Sequence, residues 1–216
     1  MSLAKTYIDH VKKAVELASK HSSKITKDSD VLNIDGMSSE KIRHVLNNLC
    51  SLNDCRYLEI GTWKGSTLLS ALYNNMHAKA TCIENFSDFN GPREEFLMNA
   101  KRNKEAGNVP VFDFIEKDCF SIDPGGIEKK NVYFFDGGHE IEDHYQAFVH
   151  FNETLDDTFI CAIDDWNHKG DKVKIGTQRA FSKLGYKILY EVELPARFNG
   201  DRELWWNGFY IAVIQK

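Results

Sequence analysis

The chain reads as an α/β protein: a mostly parallel sheet, helices on both of its faces, and an antiparallel pair of strands at the C-terminal end. Three observations lead there. Short apolar runs that fit buried strands alternate with stretches of helical apolar spacing. The runs are apolar on both faces, as strands covered by helices on each side must be. The last two runs follow one another with no helix between them, which makes them an antiparallel pair.

Residues 3–20 carry Ile8, Val11, Val15 and Ala18 at helical spacing with Lys, Asp and Glu between them, an amphipathic helix. This segment is too polar for a membrane span and lacks a small-residue cleavage site, so a cytoplasmic location is expected. A polar connector runs through Ser22-Ser23-Lys24 and Lys27-Asp28-Ser29-Asp30. A second helix starts at Ser38 or Ser39, where serine caps it and Glu40 supplies an early acid, and it carries Ile42, Val45, Leu46 and Leu49. Strands are expected at 56–60, 79–84, 111–116, 131–135 and 158–163. Between them fall helices at 66–75, 92–106 and 139–153 and a short one at 124–128. A helix near 173–184 stops at Gly185 and leads to strands at 186–193 and 208–214, joined by a polar and aromatic loop. No internal repeat interrupts this order.

One domain is expected over residues 1–216, with 1–50 as an N-terminal helical extension within it; a chain of that length buries roughly 70% of its unfolded surface. The net charge of −5 gives no pull towards nucleic acid or an anionic membrane and favours a small substrate. The five cysteines are odd in number and form no CxxC, and several lie in apolar runs. They read as buried thiols in a reducing compartment.

The chemistry gathers where strands end, which is where ligands collect in an open parallel sheet. Leu58-Glu59-Ile60-Gly61-Thr62-Trp63-Lys64-Gly65-Ser66-Thr67 runs from a strand through a glycine-bearing turn into a helix. Glycine at 61 and 65 lets a ligand lie against backbone, and the helix start leaves free N–H groups. Phosphate-cradling loops avoid a carboxylate such as Glu59, so a ligand with an amino group or positive charge is favoured. S-adenosylmethionine fits that description. Glu84, closing the second strand before Asn85, is placed to accept from both ribose hydroxyls. Asp118-Cys119 follows the third strand and is placed to meet an adenine amino group. The fourth and fifth strands deliver Asp136-Gly137-Gly138-His139 and Asp164-Asp165-Trp166-Asn167.

With these stations in order, the sequence resembles the class I S-adenosylmethionine-dependent methyltransferases over roughly residues 38–216. The resemblance implies a Rossmann-like, seven-stranded sheet in which the last hairpin adds one antiparallel strand. It implies cofactor contacts from Glu59, Gly61, Thr62, Gly65, Ser66, Thr67, Glu84, Asn85, Asp118, Cys119 and Asp136. Phe135-Asp136-Gly137-Gly138-His139 and Ile163-Asp164-Asp165-Trp166-Asn167 look like the metal-dependent small-molecule O-methyltransferases, of the catechol type and the macrolide and aminocoumarin sugar type. That likeness implies a divalent ion, usually magnesium, on Asp136, Asp164 and Asp165, with Asn167 a further candidate. One position departs from the sugar enzymes, which often carry a second Asp where this chain has Gly138. The base is then expected at His139, three residues after Asp136, the offset of the lysine base in the catechol type.

Acceptor recognition is expected from segments 33–38, 168–170 and 198–206, and the N-terminal extension is expected to cover the cofactor mouth. The extension could also meet a partner subunit, so a homo-oligomer stays open. Methylation of nucleic acid is the rival reading; the acidic balance and the lack of an Asn/Asp-Pro-Pro-aromatic motif after the fourth strand oppose it. A cofactor-binding relative without methyl transfer is the third, opposed by the retention of every acidic station.

Overall fold

The computed structural model describes residues 2–168 and 170–216. Seven strands form one sheet: β1 Arg56–Ile60, β2 Lys79–Ile83, β3 Phe112–Ile115, β4 Lys130–Phe135, β5 Leu155–Ile163, β6 Lys187–Leu194 and β7 Phe209–Gln215. Their order across the sheet is β3-β2-β1-β4-β5-β7-β6. β1 to β5 are parallel, and β7 runs antiparallel to both β5 and β6. The six α-helices are α1 Leu3–Ser19, α2 Glu40–Leu49, α3 Ser66–Leu72, α4 Arg93–Glu105, α5 Ile141–Phe151 and α6 Lys172–Leu184.

Alternation along the strands builds two cores, one on each face. Tyr57, Val132, Phe134, Ile160, Ala162, Ile211 and Val213 face the core under α1 to α4. Leu58, Ile60, Tyr133, Phe135, Cys161, Ile163, Ala212 and Ile214 face the core under α5 and α6. Because the central strands are buried on both faces, their carboxyl ends form the natural mouth for a ligand, and β1, β4 and β5 end there side by side.

Local signals act as expected at most boundaries. Ser39 Oγ accepts the Ile42 N–H at the start of α2, and Gly185 at φ 68° ends α6 with its N–H on Phe181 and Ser182 carbonyls. α5 begins at Ile141 behind a capping box between Glu140 and Asp143, two residues later than the helical spacing suggested. Residues Asp30–Asn33 form a 3-10 turn inside the polar connector, and the short helix expected at 124–128 is a 3-10 turn over Pro124–Gly126. β5 starts at Leu155, three residues before the apolar run at 158. Leu155 is buried, but Asp156 and Asp157 after it are polar and at least partly exposed, so no continuous apolar run marked this start.

The N-terminal helix does not cover the mouth. Its buried stripe of Tyr7, Val11, Ala14 and Ala18 packs on α2, β5, β6 and β7. The Tyr7 hydroxyl, 3.1 Å from Asn131 Nδ2, lies beside the amino end of β4. Segment 33–38 borders the mouth instead, because Gly36 packs against Ser66 at the start of α3. Among the described residues no helix is long and apolar enough to cross a membrane.

Candidate functional site

The turn after β1 is built by close backbone approach. Gly61 has φ 86°, and a Cβ there would overlap the carbonyl oxygen of Asp136 in the neighbouring turn after β4. Gly65, at φ 85°, is the residue before α3; a Cβ would stand 3.2 Å from both Leu69 Cδ1 and Phe96 Cδ2. Trp63 between them adopts a left-handed φ of 46° and points its N–H at Glu84 Oε2, 2.8 Å away.

Glu59 is fully buried and fully satisfied. Its Oε2 accepts from the Tyr57 hydroxyl at 2.6 Å and its Oε1 from the Thr67 hydroxyl at 2.8 Å. Burial pushes its pKa up to about 7, although both hydrogen bonds oppose the shift. The raised folded-state value means that the folded chain holds this proton while the unfolded chain releases it. Glu59 therefore makes stability fall as pH rises from the ordinary carboxylate range to about 7, and Glu59→Gln should flatten that part of the stability–pH curve. Urea unfolding across that range, compared with the parent chain, measures the difference.

Glu84 is half-buried, with Oε2 on the Trp63 N–H and Oε1 on the Phe86 N–H at 2.7 Å. A carboxylate has about four acceptor sites, so lone pairs remain for ribose hydroxyls. Asn85 is exposed and its Oδ1 accepts the Ser87 N–H. Asp118 is exposed and caps the turn at Cys119–Ser121 through the Phe120 N–H at 2.8 Å. The Cys119 thiol is pushed up to about 12 by burial and by the charge of Asp118, so it stays protonated. Ser66 and Thr62 are both buried, Ser66 beneath segment 33–38.

At the ends of β4 and β5 the side chains of Asp136, His139 and Asp165 converge, with one ligand atom from each lying within 4.8 Å of the others. His139 Nε2 is 2.5 Å from Asp165 Oδ2, and Asn207 Nδ2 donates to Asp165 Oδ1 at 2.5 Å. The hydrogen bond with Asp165 raises the pKa of His139. Burial pushes Asp165 up, but His139 and Asn207 together outweigh it and hold the carboxyl below its ordinary range. Asp136 is half-buried as a residue, yet its carboxyl is withdrawn from water. Burial, then the charges of Asp165, Glu59 and Glu84, push it well above the ordinary value.

Asp164, expected as a metal ligand, is not in the converging group. Neighbouring side chains diverge as a strand ends, and Asp165 takes a left-handed φ of 57° that turns it towards His139. Asp164 stays buried at 2% exposure with Oδ1 unpartnered among the described residues, pushed well up by burial and by the charges of Asp136 and Asp165. Gly138 has a steric reason of its own: a Cβ there would overlap Asp143 Oδ2, which accepts the Glu140 N–H in the α5 capping box.

Of the flanking segments, His168 stacks on His139 with ring centroids 5.1 Å apart, while Lys169 lies outside the described residues. Asn167 is half-buried beside the group, with its Oδ1 unpartnered among the described residues. In the β6–β7 loop Trp205 is core, and Phe198 and Trp206 retain exposed surface. Ser39 Oγ donates to the Leu204 carbonyl at 2.6 Å, which fastens that loop to the start of α2. Two cavities, of about 650 Å³ between α1, α2 and residues 51–54 and about 420 Å³ beside the starts of β2 and β3, lie at the opposite end of the sheet. Sequence reasoning missed Asn207, one residue beyond the segment it marked, and Tyr57, whose role shows only once strand alternation places it beside Glu59.

No family model matches the chain, and no curated protein matches it by sequence. Solved structures do. The O-methyltransferase TomG from Streptomyces achromogenes, involved in tomaymycin synthesis and crystallised with SAM, superposes with a TM-score of 0.60 at 16% identity, over 100% of each chain. The chain has the class I methyltransferase fold. The Podospora anserina methyltransferase PaMTH1, bound to SAH, gives a TM-score of 0.58 at 13% identity over 96% of this chain and 88% of its own. TrmN from Thermus thermophilus gives 0.58 at 12% identity over 86% of this chain, which spans 51% of TrmN.

Proposed function

We propose that this class I fold catalyses S-adenosylmethionine-dependent methylation of a hydroxyl oxygen on a small molecule. One observation carries the reading. The Gly61 turn, which a methyl donor would occupy, is packed directly on the Asp136 backbone, and Asp136 belongs to the same side-chain group as His139 and Asp165. Donor loop and proton acceptor therefore share one wall. The donor crystallised with TomG, and SAH with PaMTH1, support the choice of cofactor.

In this reading Glu84 takes the ribose hydroxyls, Asp118 or the Cys119 backbone meets the adenine, and the Gly61–Gly65 turn holds the amino-acid end. Asp165 fixes His139 through Nε2, and Nδ1 makes no hydrogen bond with the described residues, so it faces outward as the proton acceptor. The acceptor hydroxyl gives its proton to Nδ1 as its oxygen attacks the methyl carbon. The carbon–sulfur bond breaks, its electron pair returns to sulfur, and S-adenosylhomocysteine leaves as a neutral thioether. The sulfonium is already a strong electrophile, so the protein chiefly aligns the two reactants and excludes water.

The acidic group also fits a divalent cation. Burial first, and then the charges of neighbouring carboxylates, push Asp136 and Asp164 well above the ordinary carboxylate range, and no lysine or arginine is paired with either among the described residues. Asp136 and Asp165 would hold the ion, magnesium by the hardness of the oxygen donors. Bound there, it would anchor the substrate oxygen and make its hydroxyl more acidic.

The test is transfer of label from methyl-tritiated S-adenosylmethionine to a panel of hydroxylated small molecules and to bulk tRNA, with and without chelator. Label in a small-molecule ether, lowered by chelator, is expected. Label in tRNA alone, or in nothing although cofactor binds, overturns the reading.

A further inference from the structure

Asn207 joins three segments beside the base. Its backbone carbonyl accepts the Asn167 N–H at 2.8 Å and the Gly208 carbonyl accepts the Trp166 N–H at 3.0 Å, so residues 207–208 are held against the segment after β5. Its Oδ1 accepts the Gly200 N–H at 2.7 Å, from the other limb of the β6–β7 loop. Its Nδ2 donates to Asp165 Oδ1, and the other oxygen of that carboxylate, Oδ2, lies 2.5 Å from His139 Nε2. Only one amide orientation serves both side-chain bonds. A flipped amide would set its NH₂ against the Gly200 N–H and its oxygen against a carboxylate.

The surroundings leave Asn207 little freedom. Gly208 has φ 92°, and a Cβ there would overlap Asn167 Oδ1. Trp206, on the other side, takes a left-handed φ of 54°, a strained conformation for a bulky residue, and paired backbone hydrogen bonds with Asp201 at 3.0 Å hold it there. Asp201 is itself fully buried, with its carboxylate on the Arg197 guanidinium and on the Glu203 and Leu204 N–H groups. The loop thus brings a fixed amide to Asp165, which is gripped on one oxygen by His139 and on the other by Asn207. A carboxylate held at one oxygen can turn about its Cα–Cβ bond. Held at both, it fixes the ring orientation and the proton-bearing nitrogen of the imidazole it meets.

We infer that Asn207 is a positioning residue for methyl transfer: it locks the Asp165 carboxylate so that His139 carries its proton on Nε2 and presents Nδ1 to the acceptor hydroxyl. The inference rests on the base assigned to His139 above. It makes the β6–β7 loop, and not only the ends of β4 and β5, part of the apparatus that aims the base. Phe198 and Trp206 keep exposed surface on that same loop, so acceptor contact and base alignment run through one element.

Two variants separate positioning from loop fastening. Asn207→Ala removes both side-chain bonds, whereas Asn207→Asp keeps an oxygen for the Gly200 N–H and loses only the donor to Asp165. The first readout needs no acceptor: proton and nitrogen NMR of the full, chelator-treated chain labelled at histidine, with His139→Gln to assign the ring. The parent should show a far-downfield, slowly exchanging His139 Nε2–H, the mark of a proton held on a carboxylate, and both variants should lose it. The second readout is label transfer to the acceptor that the panel above yields. There kcat should fall roughly 10- to 100-fold in both variants, the range for loss of a partner that orients a functional side chain, while S-adenosylhomocysteine affinity stays within about threefold. An Asp variant that keeps the Nε2–H signal, or a parent that lacks it, overturns the inference and leaves Asn207 a fastener of the β6–β7 loop. Should the Ala variant fail to fold, the Asp variant carries the test alone. Undiminished transfer in His139→Gln would defeat the base reading itself, and that outcome is distinct because it leaves the Asn207 variants unneeded to see it.

Discussion

Gly61→Ala is expected to be among the most damaging single substitutions in this chain, costing about 3 kcal/mol or more of stability and removing cofactor binding. Two terms add. A left-handed residue with a Cβ costs roughly 1–2 kcal/mol, and forcing an extra carbon into a packed site costs typically about 1–3 kcal/mol. Here the Cβ meets the backbone carbonyl of Asp136, which cannot swing aside without moving the end of β4. Gly107→Ala supplies the control. Gly107 has φ 70° but nothing within 4 Å of its would-be Cβ, so only the first term applies. Urea unfolding of both variants should show the Gly61 change at least about twofold costlier; equal costs would mean that the Gly61–Asp136 approach contributes little.

Asp165→Asn should separate chemistry from cofactor binding. The carboxylate holds His139 at Nε2 and takes the Asn207 amide on its other oxygen, so the amide replacement presents an NH₂ group to at least one of two donors. Methyl transfer should fall roughly 10²- to 10⁴-fold, the range for loss of a positioned general base. Affinity for S-adenosylhomocysteine should stay within about threefold, because Glu59, Glu84 and the Gly61 turn do not touch Asp165. An equal fall in binding and turnover would show that the pair is a structural tie between the ends of β4, β5 and the last hairpin.

The contrast between these two sites follows what a linear sequence can carry. Gly61, Gly65, Glu59 and Glu84 were legible because strand ends, glycines and acids recur at spacings set by the sheet itself, and the sheet followed from runs apolar on both faces. The acidic group after β4 and β5 was legible as a set of residues but not as a geometry. Which of Asp164 and Asp165 turns towards His139 depends on one left-handed residue at a strand end, and apolar periodicity does not encode it. The N-terminal helix shows the same limit. Its stripe announced that it would pack, whereas its partner surface, α2 and the β5–β7 edge, depends on tertiary contacts. Arg43 in α2 is a further case: a charged residue in an amphipathic helix reads as solvent-facing, and only the fold shows it 4% exposed.

A methyl donor is expected to lie in the Gly61–Gly65 turn beside Glu84. Isothermal titration of the purified chain with S-adenosylhomocysteine tests that most directly. One-to-one binding in the micromolar range, lost in Glu84→Ala while that variant stays folded, is the predicted result. Absence of binding by both S-adenosylhomocysteine and S-adenosylmethionine at millimolar concentration, or binding indifferent to Glu84, would contradict it.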